Sequence, residues 1–210
     1  MGTDYRNTIY CPALGEIKDR KRTVEQKIKA DHPRARDMHN YLAPNDGKYK
    51  EEFIQAYNGK CSYCGVSNEI ISKEFFEIDH FIYEACFSSK ADAGKMDNLV
   101  LACHTCNHLK NDFGIPWEDA DKLHPDKTGI VECFKRDDKY YIRVLNGQDG
   151  DIVVRFYEKL KLGGELRRID YLLMSIYGFQ KQLQSIDGMA EVYKKIGRMA
   201  ELLRKKRNMS

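Results

Sequence analysis

Two Cys-x-x-Cys pairs, Cys61-Ser-Tyr-Cys64 and Cys103-His-Thr-Cys106, stand 39 positions apart and enclose Glu77-Ile-Asp79-His80 and Asn98. The second pair runs straight into Asn107-His108-Leu-Lys110. Four thiolates in two such pairs can surround one Zn²⁺ tetrahedrally, which leaves no open position and marks a structural rather than a catalytic site. His104 or His108 could replace one sulfur in a three-cysteine, one-histidine set, and a redox Cys-x-x-Cys is a further alternative, although no thioredoxin pattern flanks either pair. The Asp, His and Asn side chains between and just after the pairs are oxygen and nitrogen groups that suit a hard cation.

The chemistry needs elements to carry it. Phe75-Phe-Glu-Ile-Asp79 reads as a short strand ending at His80, and Leu99-Val-Leu-Ala102 as a second strand opened by Asn98. Residues 104–112 read as a helix begun by the second cysteine pair. Tyr49, Phe53, Ile54, Ala56 and Tyr57 have helical spacing from Lys48, stopped by Asn58-Gly59. Upstream, Lys18-Asp-Arg-Lys-Arg22 leads into a short exposed helix in which Glu25 and Lys29 form an i,i+4 pair. A loop follows through His32-Pro33 and Pro44-Asn-Asp-Gly47. Beyond Trp117, residues 130–134, 139–144 and 151–154 have the β-branched and aromatic content of strands, with turns at 136–138 and at Asn146-Gly147. Leu166, Ile169, Leu173, Ile176 and Leu183, then Met189, Tyr193, Ile196 and Leu203, predict two amphipathic helices broken at 185–188.

The ordered elements Cys-x-x-Cys, Asp79-His80, Asp97-Asn98-Leu99 and Cys-x-x-Cys-Asn-x-x-Lys resemble the HNH nucleases, also called ββα-metal or His-Me finger nucleases, over about residues 57–112. Asn107 stands where the last His of that signature would be, so the resemblance is to an HNN form. It implies an α+β fold: a ββα-metal core with paired zinc knuckles, a small antiparallel sheet and flanking α-helices. The expected divisions are a basic helical region at 1–56, the nuclease core at 57–115, a sheet extension at 116–160 and a helical hairpin at 161–210.

The same resemblance makes His80 the general base. It gives Asp79 and Asn107 to a catalytic Mg²⁺ or Mn²⁺, beside a separate structural Zn²⁺, and implies DNA hydrolysis to 5′-phosphate and 3′-hydroxyl ends. Asn98 would orient the loop behind His80 through backbone hydrogen bonds. Lys110, three residues after Asn107 on the helix, is expected to contact phosphate, and Glu77, alternating with Asp79, to stand behind the metal ligands. Each has a plainer alternative: Asn107 as a helix cap, Lys110 on a solvated face. His32, His39 and His124 read as surface residues. The competing function is a zinc-ribbon module that binds nucleic acid or protein without cutting.

Composition narrows the setting. The 210 residues carry a net charge of +3, divided as +3 over 1–60, −7 over 61–154 and +7 over 155–210, so double-stranded DNA is expected to be gripped by the flanks. Hydrophobic residues make up 42% and no apolar run approaches a membrane span. The first residues lack a secretory design and three cysteines, Cys11, Cys86 and Cys133, have no evident partner, which together predict a reducing, cytoplasmic setting. No Walker-type loop and no sequence-reading module are evident. The family resemblance then implies an ATPase or sensor partner at the C-terminal helices, in a restriction or anti-phage context.

Overall fold

The computed structural model describes residues 4–44, 47–145, 147 and 150–209. Asn45 and Asp46 of the expected loop and Asn146 of the expected turn lie outside them. The chain runs through α1 (Ile17–Asp31), α2 (His39–Leu42) and α3 (Lys48–Ala56) into β1 (Phe76–His80). It continues through α4 (Lys90–Ala93) to β2 (Leu99–Cys103) and α5 (His104–Lys110). After α6 (Ala120–Leu123) and α7 (Gly129–Cys133) come β3 (Phe134–Arg136), β4 (Ile142–Val144), α8 (Asp151–Lys159), α9 (Glu165–Leu183) and α10 (Ala190–Asn208).

The central unit is β1, β2 and α5. The strands pair antiparallel with Phe76 opposite Cys103 and His80 opposite Leu99. Every residue of β2 is buried, as expected for a short apolar run covered on both faces. A second two-stranded sheet, β3 with β4, lies apart from the first. The fold is thus α+β, with two small antiparallel sheets among helices.

Helix α3 ends as its sequence predicts. Asn58 and Gly59 take φ of 51° and 66°, and the Gly59 N–H returns to the Ile54 carbonyl at 2.9 Å. A Cβ on Gly59 would meet the Asn68 amide, so space and dihedral both call for glycine here. Glu25 and Lys29 pair at 2.6 Å on α1, which extends well beyond the short helix expected.

Two predicted strands are helices. Ile130 and Cys133 are buried on α7, and Val153 and Phe156 on α8 with Leu160 just after it. These i, i+3, i+4 intervals are a helical face, and they override the β-branched content that suggested strands. Only 134–136 and 142–144 remain extended.

The C-terminal helices α9 and α10 pack against each other. Arg207 Nε donates to Asp170 Oδ1 at 2.5 Å and Gln184 Nε2 to Tyr193 Oη at 3.1 Å. Ile169, Leu173 and Met174 of α9 are fully buried against the body, whereas α10 buries only Ala200 among its described residues. No helix among the described residues is long and apolar enough to cross a membrane.

The N-terminal arm, part of the expected basic helical region, is partly core. Tyr5 Oη donates to the Tyr63 carbonyl at 2.6 Å, and Arg6 Nη1 to those of Ser62 and Pro125 at 2.6 and 2.7 Å. If α9 is seated as described, Leu173→Ala lowers unfolding free energy by about 3 kcal/mol in a denaturant titration. Leu202→Ala, on the open face of α10, shifts it by less than about 0.5 kcal/mol.

Candidate active site

Cys61, Cys64, Cys103 and Cys106 are all buried, with sulfurs within 4.8 Å of one another. Among the described residues they are the one group of three or more His, Cys, Asp or Glu side chains so gathered. The first pair sits on a tight turn, Gly65 N–H to Cys61 O at 2.9 Å and Cys61 N–H to Val66 O at 2.9 Å. Ser62 N–H ties that turn to Leu101 of β2 at 2.8 Å. The second pair straddles the β2–α5 junction. Four sulfurs with this burial and spacing fit a tetrahedral zinc ion, and His104, exposed and turned to Glu77, is not among them.

Arg167 of α9, which no sequence motif flagged, closes this cluster. Its guanidinium donates to Cys106 Sγ at 3.1 Å, Cys64 Sγ at 3.6 Å and Cys103 Sγ at 3.9 Å. Burial alone would lower its pKa, but the surrounding sulfurs hold it well above the usual arginine value. Burial, then the neighbouring cysteines, pushes the Cys106 thiol up against the pull of Arg167.

Around this scaffold the expected site residues separate into three groups. Asn98 bonds to backbone on both sides: Oδ1 accepts from Ile82 N–H at 2.8 Å, and Nδ2 donates to the carbonyls of Ile82 and Ala93 at 2.9 Å each. It clamps the segment that follows His80. The His80 ring is half-buried and stacks on His39 at 4.5 Å and 28°. Burial first, then His39, lowers its pKa to about 4, with Glu84 and Asp37 opposing.

Asp79 and Lys110 form the second group, and they correct two expectations. Lys110 is not on a face that meets phosphate; it is buried, with Nζ 3.0 Å from Asp79 Oδ1 and 2.7 Å from the His80 carbonyl. Asp79, expected to hold the catalytic cation, gives its other oxygen to Tyr63 Oη at 2.6 Å. Burial raises its pKa against the pull of Lys110. An ion at Asp79 would share the carboxylate with an enclosed ammonium.

The third group is open. Glu77 Oε1 meets His104 Nδ1 at 2.7 Å and Oε2 accepts from Asn107 Nδ2 at 2.6 Å. Burial would raise the Glu77 pKa, but Asn107, His104 and Lys50 hold it below the usual value. The carboxylate is ionised on a solvent-facing rim.

The remaining histidines divide. His32 is exposed, as expected. His124 is buried against Phe81, its Nε2 2.9 Å from the Asp97 carbonyl, because the 120–128 turn folds inward over β2. His39, read from sequence as a surface residue, is half-buried and stacks on His80; it lies 41 positions away in a polar stretch without a motif. Of the three unpartnered cysteines, Cys133 is buried, Cys11 half-buried and Cys86 exposed, all free thiols.

Strands β1 and β2, helix α5 and the two cysteine pairs together form a ββα unit with a metal-binding cluster. A family model described as HNH endonuclease matches residues 61–113, which are therefore an HNH-type domain spanning 53 of the 210 residues. No curated protein and no solved structure gave a match. With zinc bound, Arg167→Ala should speed transfer of the metal to a colorimetric chelator by about tenfold, since one neutralising partner of the thiolates is gone.

Proposed function

We propose that the chain is an endonuclease hydrolysing DNA phosphodiester bonds with the aid of a divalent cation, leaving 5′-phosphate and 3′-hydroxyl ends. The observation that carries this reading is the Asn98 clamp on Ile82, which fixes the segment behind His80 inside the matched HNH domain.

Neither His80 ring nitrogen has a hydrogen-bond partner among the described residues, and the ring is held by stacking on His39. A neutral imidazole so placed can take a proton from water as the water oxygen bonds to phosphorus and the bond to the 3′-oxygen breaks. The departing oxygen takes up a proton from solvent. A bound divalent cation would neutralise charge on the phosphate and on that oxygen. Asn107, on the rim of α5, can turn an amide oxygen toward such an ion, and Asp79 would reach it with its oxygens already bonded to Tyr63 and Lys110.

The basic C-terminal third supplies charge for the duplex, and exposed Val192, Met199 and Leu202 on α10 suit the protein partner that the lack of a translocation motor calls for. Restriction or anti-phage defence is the context we infer.

In a plasmid-nicking assay with Mg²⁺ or Mn²⁺, His80→Ala should lower the rate at least about a hundredfold while zinc content and far-UV dichroism stay unchanged. Equal rates for the two proteins would remove His80 as base. Intact plasmid under every metal and partner tried would favour a non-cleaving binding module. Because His80 is held to about 4, its basic form is present above that value and is lost as pH falls through it. Plotted against pH, kcat/KM should stay level from about pH 5.5 to 8 rather than halve near the ordinary histidine value of about 6.5.

A further inference from the structure

We propose that the cleft along α1, facing residues 89–97, is the track for the DNA backbone beside His80, with Lys18, Arg22 and Arg36 as its phosphate contacts. That the bound strand is also the one cut rests on the nuclease reading; the binding of its phosphates does not.

Two cavities, of about 490 and 420 Å³, make up this cleft and share Glu25 of α1 as a wall. Lys18 and Arg22, four positions apart on one face of α1, line the first, and Arg36 lines the second. Both cavities reach the neighbourhood of His80. Met38, a wall of the second, has its N–H on the Gly94 carbonyl at 2.8 Å and precedes His39, whose ring stacks on that of His80. His124, a wall of the first, packs at 4.4 Å on Phe81, the residue after His80.

Charge distinguishes the cleft from the segment that carries the site. Residues 61–154 hold a net −7 and would repel a polyanion, so the cations that bring phosphate to His80 must come from another element. The fold lays α1 and the residues after it there. Within the walls, Glu25 is paired by Lys29 at 2.6 Å, Asp92 by Lys95 at 2.7 Å and Asp126 by Lys21 at 2.6 Å. Lys18, Arg22 and Arg36 are exposed and have no ion pair among the described residues; Asp97 is the one wall carboxylate in the same condition. An unpaired cation meets phosphate by releasing counterions alone, whereas a paired one must first give up its partner.

Helix α1 is seated to present these groups. Lys21 is buried, and its Nζ donates to the Leu99 carbonyl at 2.7 Å, on the residue opposite His80 in the β1–β2 register. Val24 and Ile28 of the same helix are buried in the core. Lys21 lies between Lys18 and Arg22 in the chain, so the bond that ties α1 to β2 also fixes where those two side chains start.

The test is fluorescence anisotropy of a labelled DNA duplex with zinc-replete protein in buffer free of Mg²⁺ and Mn²⁺, read as the slope of log affinity against log salt. Zinc content and far-UV dichroism serve as folding controls. Lys18→Gln, Arg22→Gln and Arg36→Gln combined should weaken binding at least about tenfold and flatten the slope by about 2 to 3, since each phosphate contact contributes about 0.9. The charge-keeping set Lys18→Arg, Arg22→Lys and Arg36→Lys should hold the slope within about 0.5 of wild type, as should Lys135→Gln with Lys139→Gln, which removes exposed charge from the second sheet instead. An unchanged slope in the triple Gln variant, or an equal loss in the Lys135 and Lys139 variant, would overturn the assignment. The expected pattern in a protein that leaves plasmid intact would uphold the cleft and remove the nuclease reading; His80-dependent cleavage with no change of slope would do the reverse.

Discussion

Four cysteine sulfurs held within 4.8 Å in a buried pocket are the constraint on which the remaining structure turns. Anions cannot be gathered there without a cation to neutralise them, and the raised Cys106 pKa expresses that cost. Zinc would displace the thiol protons, and the four thiolates would still leave a negative charge. Arg167 meets it from α9, 61 positions beyond Cys106. The N-terminal arm arrives from the other end of the chain, with Tyr5 and Arg6 on the carbonyls of Tyr63 and Ser62 in the first knuckle. The N-terminal arm and α9 are thus both fastened to the element that positions the site.

That fastening divides the polar residues by depth. The Asp79 and Lys110 pair, closed by Tyr63, joins β1 to α5 from inside. Removing either partner would strand a buried charge, a heavier penalty than the pair's own stabilisation. On the rim, Glu77, His104 and Asn107 meet with solvent access. Beyond the end of β1, Asn98 fixes the backbone while His39 covers the His80 ring. One residue type, a carboxylate, plays two parts within three positions of one strand because of what lies over each.

What could be read in the sequence follows the same division. Cysteine spacing is a local signature, so the knuckles, β1, β2 and α5 were legible within a residue or two. The 130–133 and 151–154 segments misled because Val and Ile favour strands locally while their burial intervals are helical, and tertiary packing decides between the two. Lys110 shares a helix face with Asn107 by spacing, but which edge of that face tips inward depends on the Asp79 carboxylate beneath it. Arg167 and His39 carry no motif and act through contacts 61 and 41 positions away, which no local pattern encodes.

Hydrogen exchange on zinc-replete and zinc-stripped protein addresses the scaffold most directly. Removing zinc should strip protection from β1, β2, α5 and the first half of α9 together, and restoring zinc should return it, whereas adding or removing Mg²⁺ should leave those amides unchanged. Protection that persists across residues 61–113 in metal-free protein would contradict the central role given to the four sulfurs.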